Sequence, residues 1–367
     1  THYELFSSQL MLYNKFKIFK MSVFMERKLV NFFNEKFFSP ALGVDLGTAN
    51  SLVYLRGKGI VLNEPTVVAL AYKDNRVLAI GQEAKKMLGK TPQNITILRP
   101  LKEGVVANYK VTEALIRYFI KKSLGAHFFK PEIMVCIPAG ATQVERRAVI
   151  GAALSAGARK VYLIDEPLAA AIGSQMPIAE ASGNMIVDIG GGAAEIAVIA
   201  LGGVVAHQSL RVGGNKLDEA IASYLRKNYG LIIGEQTAEE IKITIGSAME
   251  RKGEKTMEIK GRDSLTALPR SISLTSGEVN KAMMPVLHQI VRGIKEVFEE
   301  TPPELSRDII DRGMIISGGT SLLAGLDRFL TQETGVPCFV APDPLYCVIK
   351  GIGVALENID LYQHSLR

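Results

Sequence analysis

The sequence predicts an α/β protein of two lobes that face one shared cleft, and three observations carry that prediction. An apolar run, an acid-glycine turn and a second alternating apolar run occupy residues 41–55. The same strand, Asp-x-Gly, strand design returns at residues 184–201, about half a chain later. A chain of 367 residues also exceeds what one hydrophobic core ordinarily organises, so two lobes are the default. A repeated hairpin suggests a duplicated architecture in which each half offers one turn to a common ligand.

Composition narrows the class before any motif is read. Hydrophobic residues make up 47% and charged residues 22%, the balance of a soluble globular protein. The net charge is +6, but the basic residues are scattered rather than gathered into a stripe, so nucleic acid is not favoured as a partner. Cys136, Cys338 and Cys347 have no metal-like spacing, and two of them stand in apolar runs. They read as reduced core residues of a cytoplasmic protein, with a catalytic thiol as the remoter alternative.

Residues 1–40 are rich in Phe and Lys, lack glycine and close on Ser39-Pro40. No run reaches the roughly 18 apolar residues of a spanning helix. On a helical projection Met25, Leu29, Val30, Phe32, Phe33 and Phe37 share one arc, and Arg27, Lys28, Asn31, Asn34 and Glu35 share the other. Glu26 and Lys36 interrupt the apolar arc. Such a helix suits a membrane surface or a partner groove, with packing on a face of its own domain as the remoter alternative. The chain opens on Thr1, and Met25 is the alternative beginning.

In the first hairpin, Gly47 allows a tight turn that exposes backbone N–H groups, and Thr48 and Asn50 add short polar donors. Asp45 stands where a carboxylate can order the water shell of Mg²⁺. The result is a phosphate cradle, although Asp-Leu-Gly-Thr would also serve as an ordinary turn. Residues 63–72 and 76–81 read as further strands and 82–88 as a short helix, together an inserted subdomain. Helical spacing follows over 111–124. A loop at 125–131 then carries Phe128 and Phe129 beside Lys130 at its tip, a pair fit either to enter a bilayer or to fold back into the core.

The next elements are a buried-type strand at 132–138, an Ala-rich helix at 142–156 and a strand at 160–164. Asp165-Glu166-Pro167 then begins a helix. Glu166 at that N-terminus is either a favourable charge–dipole placement, worth about 0.5 kcal/mol, or a carboxylate aimed into the cleft to orient a water. After the second hairpin come a strand at 204–210, a helix at 216–228 and a helix within 234–246. On the last, Glu239 and Lys242 lie three apart, as a solvated pair or as groups reaching a ribose. A strand pair is predicted at 257–262 and 267–273, then one long helix at 276–299 that accommodates Pro285, and a break at Thr301-Pro302-Pro303. Residues 313–327 read as strand, double-glycine turn and helix. Gly318 and Gly319 lack the Cβ atoms that would block a flat ring, although a plain strand–helix turn has the same pattern. A strand at 337–341 and a glycine-containing helix at 346–356 follow.

Three glycine turns at strand ends, with two acids in matching copies, describe a nucleotide clamped between lobes. On these residues the chain resembles the actin–Hsp70–hexokinase superfamily, and within it the MreB family of bacterial actins. The resemblance runs from about Ala41 to Leu356. It is carried by Asp-Leu-Gly-Thr-Ala-Asn at 45–50, Gly-Ile-Val-Leu-Asn-Glu-Pro at 59–65, Gly-Ala-Thr-Gln-Val-Glu-Arg-Arg at 140–147 and Asp-Glu-Pro-Leu-Ala-Ala-Ala-Ile-Gly at 165–173. Gly-Glu-Gln-Thr-Ala-Glu-Glu-Ile-Lys at 234–242 and Thr-Pro-Pro-Glu-Leu at 301–305 complete it.

The resemblance implies an actin-like ATPase fold of two ribonuclease-H-like domains, each with a smaller subdomain, and ATP with Mg²⁺ in the cleft. By position it makes Asp45, Gly47, Thr48, Ala49 and Asn50 the first phosphate loop and Asp188, Gly190, Gly191 and Gly192 the second. Asp45 and Asp188 then hold the metal through water. Glu239 and Lys242 fall on the ribose side, Gly318, Gly319 and Thr320 on the adenine shelf, and Glu166 on the attacking water. The expected divisions are an extension at 1–40, a first lobe at 41–177 (small subdomain about 62–103), a second lobe at 178–345 (small subdomain about 215–270), and a returning helix and tail at 346–367.

It further implies self-assembly into filaments, with paired protofilaments, on the inner face of the plasma membrane. Attachment is expected through Met25, Leu29, Phe33 and Phe37 of the N-terminal helix and through the Phe128-Phe129 loop. The implied partners are the cell-wall elongation machinery and a transmembrane adaptor such as RodZ. A chaperone ATPase or a sugar kinase of the same superfamily is the alternative. Against the first, only about ten residues follow the last helix of the cleft lobes; against the second, no inserted sugar-binding segment is evident. One departure stands out. The family usually has Gly-Gly-Gly-Thr-Thr-Glu at the second phosphate loop, whereas this chain has Ala193 and Ala194 in place of the threonines. That predicts binding with slow hydrolysis.

Overall fold

The computed structural model describes residues 40–102, 105–106, 108–250 and 253–362. The N-terminal helix expected around Met25–Phe37 lies outside the described residues. Two five-stranded sheets form the body, and they have the same topology. In the first, Ala41–Leu46, Asn50–Leu55 and Gly59–Pro65 make an antiparallel meander. Glu132–Ile137 then adds parallel to Ala41–Leu46, and Lys160–Asp165 parallel to Glu132–Ile137. In the second, Asn184–Ile189, Ala194–Ala200 and Gly203–Leu210 form the meander, with Met314–Ser317 and Cys338–Val340 added in parallel on the other side. The duplication inferred from two turns therefore extends to every strand of both sheets.

Both central strands are buried along their whole length, because each sheet is covered on both faces and the residues read as continuous apolar runs. One face of the first sheet packs Leu42, Val44 and Val53 against Leu115, Phe119, Ala152 and Ala153 of the helices Tyr109–Leu124 and Gln143–Ala156. Thr142 fixes the start of the second of these helices through a reciprocal cap with Glu145. The far face of the second sheet carries Met185, Val187 and Ile196 against the long helix Ser276–Glu300, which begins on an equivalent Thr275–Glu278 cap and runs through Pro285.

Between the sheets lie the helices Glu166–Gly173 and Cys347–Glu357. Their core joins Met134 and Ile164 of the first sheet to Ile186 and Ala197 of the second. The two helices meet backbone to backbone. A Cβ on Gly173 would stand 1.8 Å from the Cys347 carbonyl oxygen, and one on Gly351 the same distance from that of Ala169. This close crossing brings the loop ends of the two sheets together at the cleft.

Each lobe also carries a small three-stranded sheet. One is built from Val68–Ala71, Val77–Ile80 and Ile95–Leu98, the other from Leu231–Ile232, Thr256–Asp263 and Pro269–Thr275. Three local readings change. Residues 63–72 are two strands, because the chain bends after Pro65 and passes from the large sheet to the small one. The prolines read as a break open a helix, Pro303–Arg312, since Pro303 occupies a first-turn position where no N–H is needed. Gly319–Leu322 is a 3₁₀ turn, and regular helix starts only at Leu326. Among the described residues no helix is long and apolar enough to cross a membrane.

Candidate functional site

The two hairpin turns project from their sheets toward each other and touch. In the first, a Cβ on Gly47 would lie 2.3 Å from the Asn50 carbonyl oxygen, so only glycine fits this turn. In the second, Gly190 N donates to Ala193 O at 2.9 Å and closes the loop. Gly191 faces Ala49, with 2.7 Å between a built Cβ and the alanine methyl, and Gly192 faces Thr48 at 2.5 Å. The helix Gly214–Tyr229 supports the second turn from behind, where Gly214 N and Asn215 N donate to the carbonyls of Gly190 and Gly191 at 3.0 and 2.8 Å. Gly318, at φ 81°, crosses over Ile189, and Thr320 Oγ1 donates to Gly190 O at 2.9 Å.

These contacts enclose a cavity of about 120 Å³. Asp45, Gly47, Thr48, Ala49 and Asn50 line it from the first lobe, and Asp188, Gly190, Gly191, Gly192, Ala193, Gly318 and Gly319 from the second, with Glu166 at its floor. Ala194 is buried in its strand and does not line it. Among the described residues no lysine or arginine lines it either. A larger cavity of about 620 Å³ opens beyond Thr48 and Gly192, lined by Arg99, Arg211, Lys216 and Glu235 among others.

Three of the predicted residues lie away from the smaller cavity. Thr320 faces Gly190 and Gly214. Lys242 turns inward, donating to Gly214 O at 3.0 Å and pairing with Asp218 at 2.8 Å. Glu239 pairs with Lys85 of the other lobe at 3.4 Å and borders a small space beside Ala49 and Asn50. Glu239 and Lys242 are thus not a solvated pair with each other.

The carboxylates carry the electrostatics. Burial, and then the nearby Asp188, push Asp45 up to about 7, against the opposing hydrogen bond from Cys136 Sγ at 3.3 Å. Burial lifts Asp188 to about 6, against the Ser317 hydroxyl that donates to it at 2.5 Å. Glu166 is pushed well above the carboxylate range by burial and then by Asp188, Glu195 and Asp45. Among the described residues, no three His, Cys, Asp or Glu side chains converge closely enough to hold a metal ion directly.

Phe128 is fully exposed and Phe129 more than half so, which removes the core as their destination. Their loop ends at the strand Glu132–Ile137, whose first N–H bonds Pro40 O at 2.9 Å. Pro40 therefore stands beside the end of this loop.

The geometry can be set against known proteins. A family model described as MreB/Mbl protein matches residues 39–364. The chain belongs to the MreB/Mbl family. It is 51% identical over 335 residues to the cell shape-determining protein MreB of Escherichia coli K12, covering 90% of this chain and 96% of that one. It is 47% identical over 332 residues to the cell shape-determining protein Mbl of Bacillus cereus, covering 90% and 100%. The crystal structure of MreB 5 of Spiroplasma citri bound to AMPPNP superposes with a TM-score of 0.85 at 34% identity, over 89% of this chain and 98% of that one. The MamK double helical filament superposes at 0.75 with 20% identity, over 87% and 99%, a likeness of fold.

Within this MreB/Mbl chain the sequence reading missed five residues that shape the site. Ser317 and Cys136 hold the two aspartates, Asp218 holds Lys242, and Arg99 reaches Thr48 O at 3.5 Å. Glu195 is the fifth. Buried and pushed up to about 7 by burial, it accepts from Ser209 Oγ and, at 3.3 Å, from Ala139 N of the other lobe. Ser317 and Glu195 adjoin glycine turns and could have been suspected. Cys136 and Arg99 carry no local signal.

Proposed function

We propose that this MreB/Mbl chain binds ATP with Mg²⁺ between its lobes, assembles into filaments on the inner face of the plasma membrane, and there organises cell-wall synthesis and cell shape. The carrying observation is the contact of two glycine turns from two lobes over a cavity floored by carboxylates. Backbone N–H groups at Gly47, Gly191 and Gly192 are the phosphate donors in this reading. The family membership supports it, as do the AMPPNP- and ADP-bound structures of the Spiroplasma citri relative at 34% identity.

The residues fit a divalent ion. Asp45, Asp188 and Glu166 share a space that no basic side chain among the described residues lines, and a cation is what would let them stay charged. In this reading Asp45 and Asp188 would hold Mg²⁺ through its own waters. When bound, the ion offsets the charge of the phosphates. Glu166 orients the attacking water. Ala193, the neighbour that lines the cavity, has no hydroxyl for a second hydrogen bond, so turnover is slow.

In this reading Phe128 and Phe129, on the loop that ends beside Pro40, insert into the bilayer. Filaments pair, and the elongation machinery and a transmembrane adaptor dock on them. Sedimentation with and without Mg·ATP and liposomes tests the function. ATP-dependent pelleting and liposome binding are expected, with liposome binding lost in Phe128→Ser/Phe129→Ser while nucleotide binding persists. A protein that neither pellets nor binds Mg·ATP refutes it. Peptide-stimulated turnover would favour the chaperone alternative, and sugar phosphorylation the kinase.

A further inference from the structure

The cleft is crossed a second time, outside the phosphate cavity. Lys85 lies in the helix Gln82–Met87 and Arg99 just after the strand Ile95–Leu98, both in the small subdomain of the first lobe. Opposite them stand the first two turns of the helix Glu235–Ile245 in the second lobe, with Glu235, Gln236 and Glu239 turned toward the first. Arg99 Nη2 pairs with Glu235. Lys85 Nζ pairs with Glu239 at 3.4 Å, and Gln236 Nε2 donates to Lys85 O at 3.2 Å. The other arm of Arg99 donates to Thr48 O in the first glycine turn at 3.5 Å. Arg99 and Glu235 both line the 620 Å³ cavity, so their pair spans it from one lobe to the other.

We propose that Lys85 and Arg99, with Glu235, Gln236 and Glu239, form a latch across the cleft mouth that sets how fast nucleotide leaves. The proposal rests on the nucleotide reading above. Its physical logic lies in the exposure of the pairs: the side chains of Lys85 and Glu239 are 37% and 40% exposed, and those of Arg99 and Glu235 28% and 46%. Ion pairs this wet contribute little to folding and are screened by salt, so they can open and close without unfolding either lobe. Because one guanidinium binds both Glu235 and the Thr48 carbonyl, opening the latch also loosens one hydrogen bond to the first turn. Glu235 is the residue to perturb, since it touches the latch and not the turns.

The first test follows release of a fluorescent ATP analogue, chased with excess unlabelled ATP, from the full-length chain at low protein concentration. Glu235→Gln should release it about fivefold faster at low ionic strength, the scale of one partly exposed pair, with association changed less. The difference should vanish near 1 M KCl, where the screening length is about 3 Å. In a double-mutant cycle, Arg99→Gln/Glu235→Gln should release no faster than the quicker single variant. Release from Glu235→Gln at the native rate, or effects that multiply in the double variant, overturns the latch.

The second test needs no nucleotide. Spin labels at Lys73→Cys and Leu265→Cys, exposed tips of the two small subdomains, report the width of the mouth, since all three native cysteines are buried. One short distance is expected at low salt, and a longer population once Glu235→Gln is added. Identical distributions overturn the proposal. Should the native chain fail to bind the analogue, the nucleotide reading falls while the distances still decide the latch.

Discussion

Gly192→Ala puts the contact between the two turns to the test. The added Cβ would lie 2.5 Å from Thr48 Oγ1 and 2.7 Å from its Cβ and Cγ2, where ordinary contact begins at 3.4 Å. The turns must therefore part by about 1 Å. Thr48 cannot swing aside freely, because it is buried and its loop is anchored where Thr66 N donates to Ala49 O at 2.9 Å. Overpacking of this size costs about 1–3 kcal/mol. If that cost falls on the closed, ligand-bound arrangement, affinity drops by about five- to 150-fold. Gly190→Ala is the control worked from the same structure: its Cβ meets only the Ala193 carbonyl oxygen, at 3.4 Å, and affinity should stay within about threefold. Titration calorimetry with Mg·ATP measures both, with thermal unfolding to verify that each variant folds. Native affinity in Gly192→Ala, or an equal loss in Gly190→Ala, refutes the contact as the basis of binding.

Other expectations bear on the floor of the cavity. Asp188→Ala should weaken Mg·ATP binding more than binding of ATP in EDTA, whereas an equal loss would assign Asp188 a purely structural part. In the metal-free protein, Asp45, Asp188 and Glu195 are raised to about 7, 6 and 7 from 3.8, 3.8 and 4.5. Raised acids favour the protonated folded state, so their contribution is fully present below about pH 4 and is lost as pH climbs through 6 to 7. The unfolding midpoint in EDTA should fall from pH 5 to 7.5, less steeply in Asp45→Asn; a flat profile in the native protein contradicts the assignment. Ala193→Thr restores a hydroxyl at the cavity wall, and one hydrogen bond gained in the transition state is worth about 1–3 kcal/mol, or roughly five- to 150-fold in single-turnover hydrolysis. No acceleration, with Glu166→Ala also without effect, would mean that neither residue holds the water.

What the sequence made legible was local. Asp45 with Gly47, Asp188 with Gly190, and Gly318 with Gly319 each lie within a few residues of a strand end, so pattern alone places them on turns, and repetition pairs the turns. What it hid depends on contacts between distant segments. The sequence leaves Phe128 and Phe129 open because their exposure turns on whether any groove lies nearby to receive them. Lys242 was paired in prospect with its helix neighbour Glu239, yet Asp218 from another helix captures it, and Glu239 is drawn to Lys85, 154 residues away.

Glu195 shows why such residues escape a reading by motif. It sits opposite Asp188 in the antiparallel register, and two like charges directly across a ladder repel. Taken from the hairpin alone, the acid looks misplaced. The structure offsets that repulsion with donors that lie outside the hairpin: Ser317 for Asp188, and Ser209 and Ala139 N for Glu195. Ala139 belongs to the other lobe. A carboxylate that is unfavourable within its own hairpin therefore becomes a tie between the lobes, and its worth appears only once both halves of the duplicated chain have folded against each other.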